Sequence, residues 1–149
     1  MMVTLSKSYF AAGIIARRRK NKIEYLVMKT EKLYGPDAGL LLTKFPGGME
    51  EPPDNGNPEK TLREEIEEET GFRIRDGANI KILLQQDLEG HHKFFFLIWR
   101  SACRGRLRTE TIDDGHTRLY RPEWVDLDTL HFIICDSHRP VLEKLDGLT

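Results

Sequence analysis

Six glutamates, Glu59, Glu64, Glu65, Glu67, Glu68 and Glu69, lie within residues 58–70, offset only by Lys60 and Arg63. If this stretch is helical, each residue turns about 100° from the last, and Leu62 and Ile66 mark the buried stripe. Glu65 and Glu69 then flank that stripe one turn apart, with Glu68 beside them, while Glu64 and Glu67 turn towards water. Three carboxylates at the edge of a buried face repel one another, and a hard divalent cation with oxygen ligands relieves that repulsion. Magnesium typically binds a few carboxylates together with substrate phosphates. A glycine pair, Gly47-Gly48, lies upstream of the same helix, which also suits phosphate chemistry. By residue type alone, a solvated charged face stays open as the alternative.

The elements around these residues can be read from pattern. Pro58 suits the first helical position, where its missing N–H costs nothing. Residues 59–70 contain no helix breaker, and Gly71 can adopt the positive φ that ends a helix. Upstream, residues 9–17 and 23–29 read as two strands of a hairpin across a basic turn. Residues 30–44 look loop-like apart from a short apolar piece at 40–43, and residues 45–58 form a loop rich in glycine and proline. Residues 79–88, 92–102 and 118–126 read as further strands, the last disturbed by Pro122, and 137–145 as a closing helix. Strands outnumber helices and the helices are interspersed, which predicts a mixed β-sheet covered by helices, an α/β fold in one domain spanning residues 1–149.

Composition narrows the class. With 39% hydrophobic and 32% charged residues, the chain has enough apolar side chains for one core and is not of disordered type. A net charge of -1 gives no overall field that calls for nucleic acid or a basic partner. Cys103 and Cys135 form no CxxC pattern and read as idle thiols. No run has the form of a signal peptide or membrane span, so the expected place is the cytoplasm.

The segment from Phe45 to Phe72 resembles the Nudix box, GX5EX7REUXEEXGU, in which U is a bulky apolar residue. Gly48 aligns with its first glycine, and residues 65–72, EIEEETGF, match its EUXEEXGU half without a gap. The resemblance implies an α/β/α sandwich with a mixed sheet. It also implies a pyrophosphohydrolase acting on a nucleoside diphosphate linked to another group. Glu65, Glu68 and Glu69, with the carbonyl of Gly48, are then the ligands of Mg2+ or Mn2+. The glutamates carry the catalysis, and Glu110, ahead of the Trp124-Val125 strand, is the favoured downstream base over Asp113, Asp114 and Glu123. Phe45, Lys44 and Arg17 are the expected substrate contacts, and a homodimer is an open possibility, as in relatives.

The match departs from the pattern in three places. Asp54 stands at the early glutamate, Asn55-Gly56-Asn57 replaces a single residue, and Glu64 occupies the place of the arginine that normally pairs with nearby carboxylates. Arg63 lies about 100° away around the helix and should not reach the same partners. The expected consequence is a looser or rearranged metal site, with Lys44 or Lys60 compensating.

Other features bear on the substrate. Arg17-Arg18-Arg19-Lys20 could hold a polyphosphate or an RNA end, or be the solvated tip of a hairpin. His91-His92 could touch a phosphate or be structural. Tyr34, Phe45 and Trp124 could stack a base or pack in the core. The proline and tyrosine that in the family mark many ADP-ribose and dinucleoside polyphosphate hydrolases are both lacking between Phe72 and Gly90. A nucleoside triphosphate or related small nucleotide is therefore the expected substrate. A catalytically weak binding module and an RNA 5′-end pyrophosphohydrolase are the alternatives.

Overall fold

The computed structural model describes residues 8–50 and 57–148. Asp54 and the Asn55-Gly56 part of the inserted turn lie outside the described residues.

In chain order the elements are β1 (Ser8–Arg19), β2 (Lys22–Lys32), β3 (Leu41–Lys44), β4 (Gly47–Glu50), α1 (Pro58–Thr70), β5 (Phe72–Ile74), β6 (Lys81–Leu88), β7 (His91–Trp99), β8 (Cys103–Gly105), β9 (Ile112–Asp113), β10 (Thr117–Leu119), β11 (Glu123–Asp126), α2 (Leu127–Ile133) and α3 (Leu142–Asp146). The large sheet runs β6-β7-β1-β2-β10-β9, with β3 and β11 also paired to β2 and β4 to β1. It is mixed, because β1 and β7 are parallel whereas β1 and β2 form an antiparallel hairpin. Lys20 and Asn21 close that hairpin with positive φ at both residues, the geometry of a tight two-residue turn. β5 and β8 stand apart as a two-stranded ribbon.

The central strands are apolar on both faces, as strands covered on two sides must be. Ile14 and Ala16 of β1 and Phe95 and Leu97 of β7 pack with Leu130 of α2 and Leu142 and Leu145 of α3. Their neighbours, Ala11, Ile15, Phe94, Phe96 and Ile98, pack on the other side with Leu62 and Ile66 of α1. The result is the expected α/β/α sandwich. Gly13 makes the close seating of α1 possible, since a Cβ there would sit 2.6 Å from Ile66 Cδ1.

α1 has the expected bounds. The Asn57 side chain caps it by accepting from the Lys60 N–H, and Gly71 ends it at φ 85°. Elsewhere the expectations need correction. Residues 47–50, read as loop, pair with β1, and residues 41–44 pair with β2. The strand read over 118–126 is two strands, β10 and β11, broken around Pro122, whose ring supplies no ladder N–H. The closing helix is shorter than read and begins as a 3-10 turn over Arg139–Val141.

Candidate metal and nucleotide site

β4 lies against α1 and brings the glycine pair onto the helix carboxylates. The Gly47 N–H donates to Glu69 Oε1 at 2.8 Å. Gly48 is so close to Glu65 that a Cβ would sit 2.5 Å from the carboxylate carbon. Both glutamates line a pocket of about 430 Å³ with Lys44, Phe45, Asp114 and the apolar side chains of Phe10, Met28 and Leu119. Glu64, Glu67 and Glu68 are all exposed. The pocket therefore has one acidic wall, one apolar wall and one lysine.

Burial and like charge hold protons on this wall. Desolvation first, and Glu68 second, push Glu65 up to about 7. Desolvation and then Glu65 push Glu69 up to about 8, against the opposing hydrogen bond from Gly47. Unfolded, both groups titrate near 4.5. Above that pH the folded chain binds more protons than the unfolded one, so stability falls as pH rises. The stabilisation is complete below about pH 4.5 and is lost as pH passes through about 7 and 8. Urea unfolding in chelator at pH 5 and pH 8.5 should show the wild type weaker at pH 8.5, with a flatter profile in Glu69→Gln. Equal slopes for the two proteins would contradict this.

The donor set fits a hard cation: all oxygen, partly desolvated, and seated on a backbone where no side chain intrudes. Among the described residues, however, no group of three or more His, Cys, Asp or Glu side chains is drawn together ready to ligate a metal. Glu65 and Glu69 share the pocket wall, whereas Glu68 acts on them through its charge from outside the lining.

Gly48→Ala tests the fit at Gly48. The atoms nearest its new Cβ all belong to the movable end of Glu65. Little stability should be lost, while metal affinity drops about 10- to 100-fold, as when the support of a ligand is removed. Gly47→Ala would instead drive a Cβ to 2.4 Å from the Ala11 carbonyl oxygen, a backbone clash. A Gly48→Ala protein with wild-type metal affinity would show that the close approach is unimportant.

Other expected site residues fall in different places. Glu110 is exposed and outside the pocket lining; the downstream acid the fold brings in is Asp114. Asp114 Oδ1 accepts from the N–H groups of His116 and Thr117, which orients the side chain at the rim. Phe45, 1% exposed, lines the pocket but stacks on the buried His138 ring. Lys44 lines the pocket, whereas Lys60 is exposed and outside its lining. Arg17 is bound to Glu24 and lies over Trp124, in a different cleft. Tyr34 is exposed, and the Trp124 ring lies tilted against Phe72, their centroids 6.4 Å apart. His92 pairs with Asp87.

The Glu64 substitution leaves no box arginine near the carboxylates. Arg63 turns away, donating to the carbonyls of Ile74 and Arg75 and to Glu59. The cation that approaches Glu69 is one the sequence reading missed. Arg108, 8% exposed, donates Nε–H to the Glu69 carbonyl at 2.7 Å. Its other nitrogens donate to the carbonyls of Glu110, Leu119 and Tyr120. One guanidinium thus ties the last turn of α1 to β10 and the segment leading to Asp114.

A family model for the NUDIX domain matches residues 7–145. The chain belongs to the Nudix family. By that membership it is a Nudix-type pyrophosphohydrolase, of the class acting on acid anhydrides. Among solved structures this Nudix chain is similar to a MutT studied from the fish pathogen Aliivibrio salmonicida and from Vibrio cholerae. That match has 20% identity and a TM-score of 0.67, covering 95% of this chain and 98% of that one. A MutT NUDIX hydrolase from Burkholderia pseudomallei matches at 22% identity and TM-score 0.59, over 92% and 98% of the two chains. The NUDIX domain of Shewanella oneidensis NrtR, complexed with ADP ribose, matches at 16% identity and TM-score 0.62, over 100% and 91%. Comparison with curated protein sequences gives no match. At these identities the structural likeness speaks for the fold, which it supports along nearly the whole Nudix domain.

Proposed function

We propose that this Nudix domain hydrolyses a nucleoside triphosphate or a related small nucleotide with Mg2+ or Mn2+. Glu65 and Glu69, assisted by Glu68 and the Gly48 carbonyl, are the groups that would hold the ion. When bound, the ion would neutralise the diphosphate and favour attack by water. Glu65, pushed up to about 7 in the metal-free chain by burial and then by Glu68, would give up that proton in holding the ion. Glu69 is fixed by the Gly47 N–H. Lys44 offers the pocket a positive charge for phosphate oxygens. Phe10, Met28 and Leu119 offer an apolar wall for the base. Asp114 at the rim is the candidate for taking the water proton, in place of Glu110.

The observation that carries this reading is the pairing of Glu65 and Glu69 with the glycine strand inside a nucleotide-sized pocket. The test is a panel of dNTPs, oxidised dNTPs, ADP-ribose, nucleotide sugars and dinucleoside polyphosphates, with and without Mg2+ or Mn2+. Metal-dependent turnover strongest on a triphosphate supports it; turnover confined to ADP-ribose or dinucleoside polyphosphates would overturn the substrate assignment. Binding without turnover of any member would favour a domain that recognises nucleotide without cleaving it, the reading to which Glu64 lends support.

A further inference from the structure

Residues 71–75 and 100–108 hold six arginines and no acidic residue, in a chain whose net charge is -1. The fold gathers them on and beside the β5-β8 ribbon. Phe72, Ile74 and Cys103 point inward and are buried, so the alternation of the strands turns Arg73 and Arg104 outward. These two are direct partners across the ribbon. Arg75 and Arg106 lie just beyond the two opposite ends of the antiparallel ribbon and are also exposed. Like charges placed opposite one another disfavour the ribbon. Among the described residues, none of these four guanidiniums has an ion pair or a side-chain hydrogen bond.

The basic surface continues into a cleft with an aromatic wall. Arg100 lies 4.2 Å over the Phe72 ring, donates to the Cys103 carbonyl, and so touches both strands of the ribbon. It also lines a cleft of about 480 Å³ with Arg17, Arg18, Trp99 and Ser101. The Trp99 ring is partly exposed there, with the Arg18 guanidinium 5.6 Å from its centroid.

We propose that the ribbon and this cleft form a binding surface for the sugar–phosphate backbone of single-stranded nucleic acid. Four exposed guanidiniums, a central pair about 5 Å apart across the ribbon and one more about 7 Å beyond it at each end, present phosphate-binding forks in a row. Trp99 beside two arginines supplies a stacking face for a base, a feature an acidic protein segment would not need. The surface is separate from the hydrolytic pocket. Arg63, on the far side of α1 from Glu65, meets the carbonyls of Ile74 and Arg75, so the ribbon lies across the helix from the carboxylate wall. The inference therefore does not depend on which nucleotide the pocket cleaves.

The experiment is fluorescence anisotropy of the full chain with labelled single-stranded oligo-U and oligo-dT across a salt series, in chelator. Both should bind at low salt, with log affinity falling linearly in log salt. The double variant Arg73→Glu, Arg104→Glu should weaken binding at least tenfold. The milder Arg73→Gln, Arg104→Gln should lower the salt slope by about 1.4, the share of two phosphates. Trp99 emission should be quenched on binding by the wild type. If RNA alone or DNA alone binds, the surface stands and its source of phosphate is named. Unchanged affinity in a Gln variant with wild-type melting behaviour, absence of binding at low salt, or preference for poly-glutamate would overturn the proposal.

Discussion

Glu69→Gln is expected to lower metal-dependent turnover by about 10³-fold, within the range for losing a positioned acid–base or charge-stabilising group. The substitution keeps the shape and the hydrogen bond from the Gly47 N–H, since the amide oxygen can accept it, and removes only the charge. Two effects with opposite signs follow. Without metal, the variant should be more stable than wild type at pH 8.5, because it no longer has to ionise a group held at about 8 by burial and by Glu65. With metal, it should lose the stabilisation that ligand binding gives the wild type. Rate assays and thermal melts in chelator and in Mn2+ check both. A variant that is inactive and also less stable in chelator would point to damage to the fold instead of loss of a ligand.

Arg108→Met is expected to destabilise the fold by roughly 3–5 kcal/mol, because the buried side chain leaves and the carbonyls it serves, buried at Leu119 and partly buried at Glu69, Glu110 and Tyr120, lose their donor. Glu69, Glu110, Leu119 and Tyr120 all contribute a carbonyl to this one guanidinium. For a chain of this size the loss corresponds to a fall in Tm of about 10 °C. Arg108→Lys should recover only part of it, since an ammonium cannot reproduce the planar fork. The functional loss should exceed the stability loss. At temperatures where the variant is still folded, Glu69 and the Asp114 segment are no longer tied together, so turnover should drop as well. Chemical denaturation together with assays well below the variant's Tm separate the two. A shift in Tm of only a degree or two would mean that water satisfies those carbonyls without the arginine.

The parts of this protein legible in its sequence are those governed by local rules. The β1-β2 hairpin follows from two apolar runs and the polar turn between them, and α1 from Pro58, a breaker-free run and Gly71. The positions of Glu65 and Glu69 follow from helical geometry once Leu62 and Ile66 are taken as the buried stripe. What stayed hidden depends on contacts far apart in the chain. β4 reads as loop because Gly47 and Gly48 have no strand propensity, and it becomes a strand only through pairing with β1. β5 and β8 are three residues each, alternate arginine with small or apolar residues, and give no periodic signal of useful length. α2 follows Asp126, whose side chain caps it, yet is only seven residues long. Among four downstream acids, Asp114 enters the pocket because the β9-β10 turn aims it there. Nothing in the local sequence separates it from Glu110. Arg108 lies in the basic run Arg104-Gly105-Arg106-Leu107-Arg108, where a buried arginine looks like its exposed neighbours.

Under the proposed function, Glu65 and Glu69 form the cation-holding wall of a nucleotide pocket. Calorimetric titration of Mn2+ into the apo protein at pH 6.5, in buffers of different ionisation enthalpy, tests it most directly. Two carboxylates held at about 7 and about 8 are largely protonated at that pH, so binding must expel their protons. The predicted result is single-site binding that releases more than one proton per ion, with affinity and proton release both falling sharply in Glu69→Gln. Binding with no proton release, or unaltered by that substitution, would place the cation elsewhere and contradict the account.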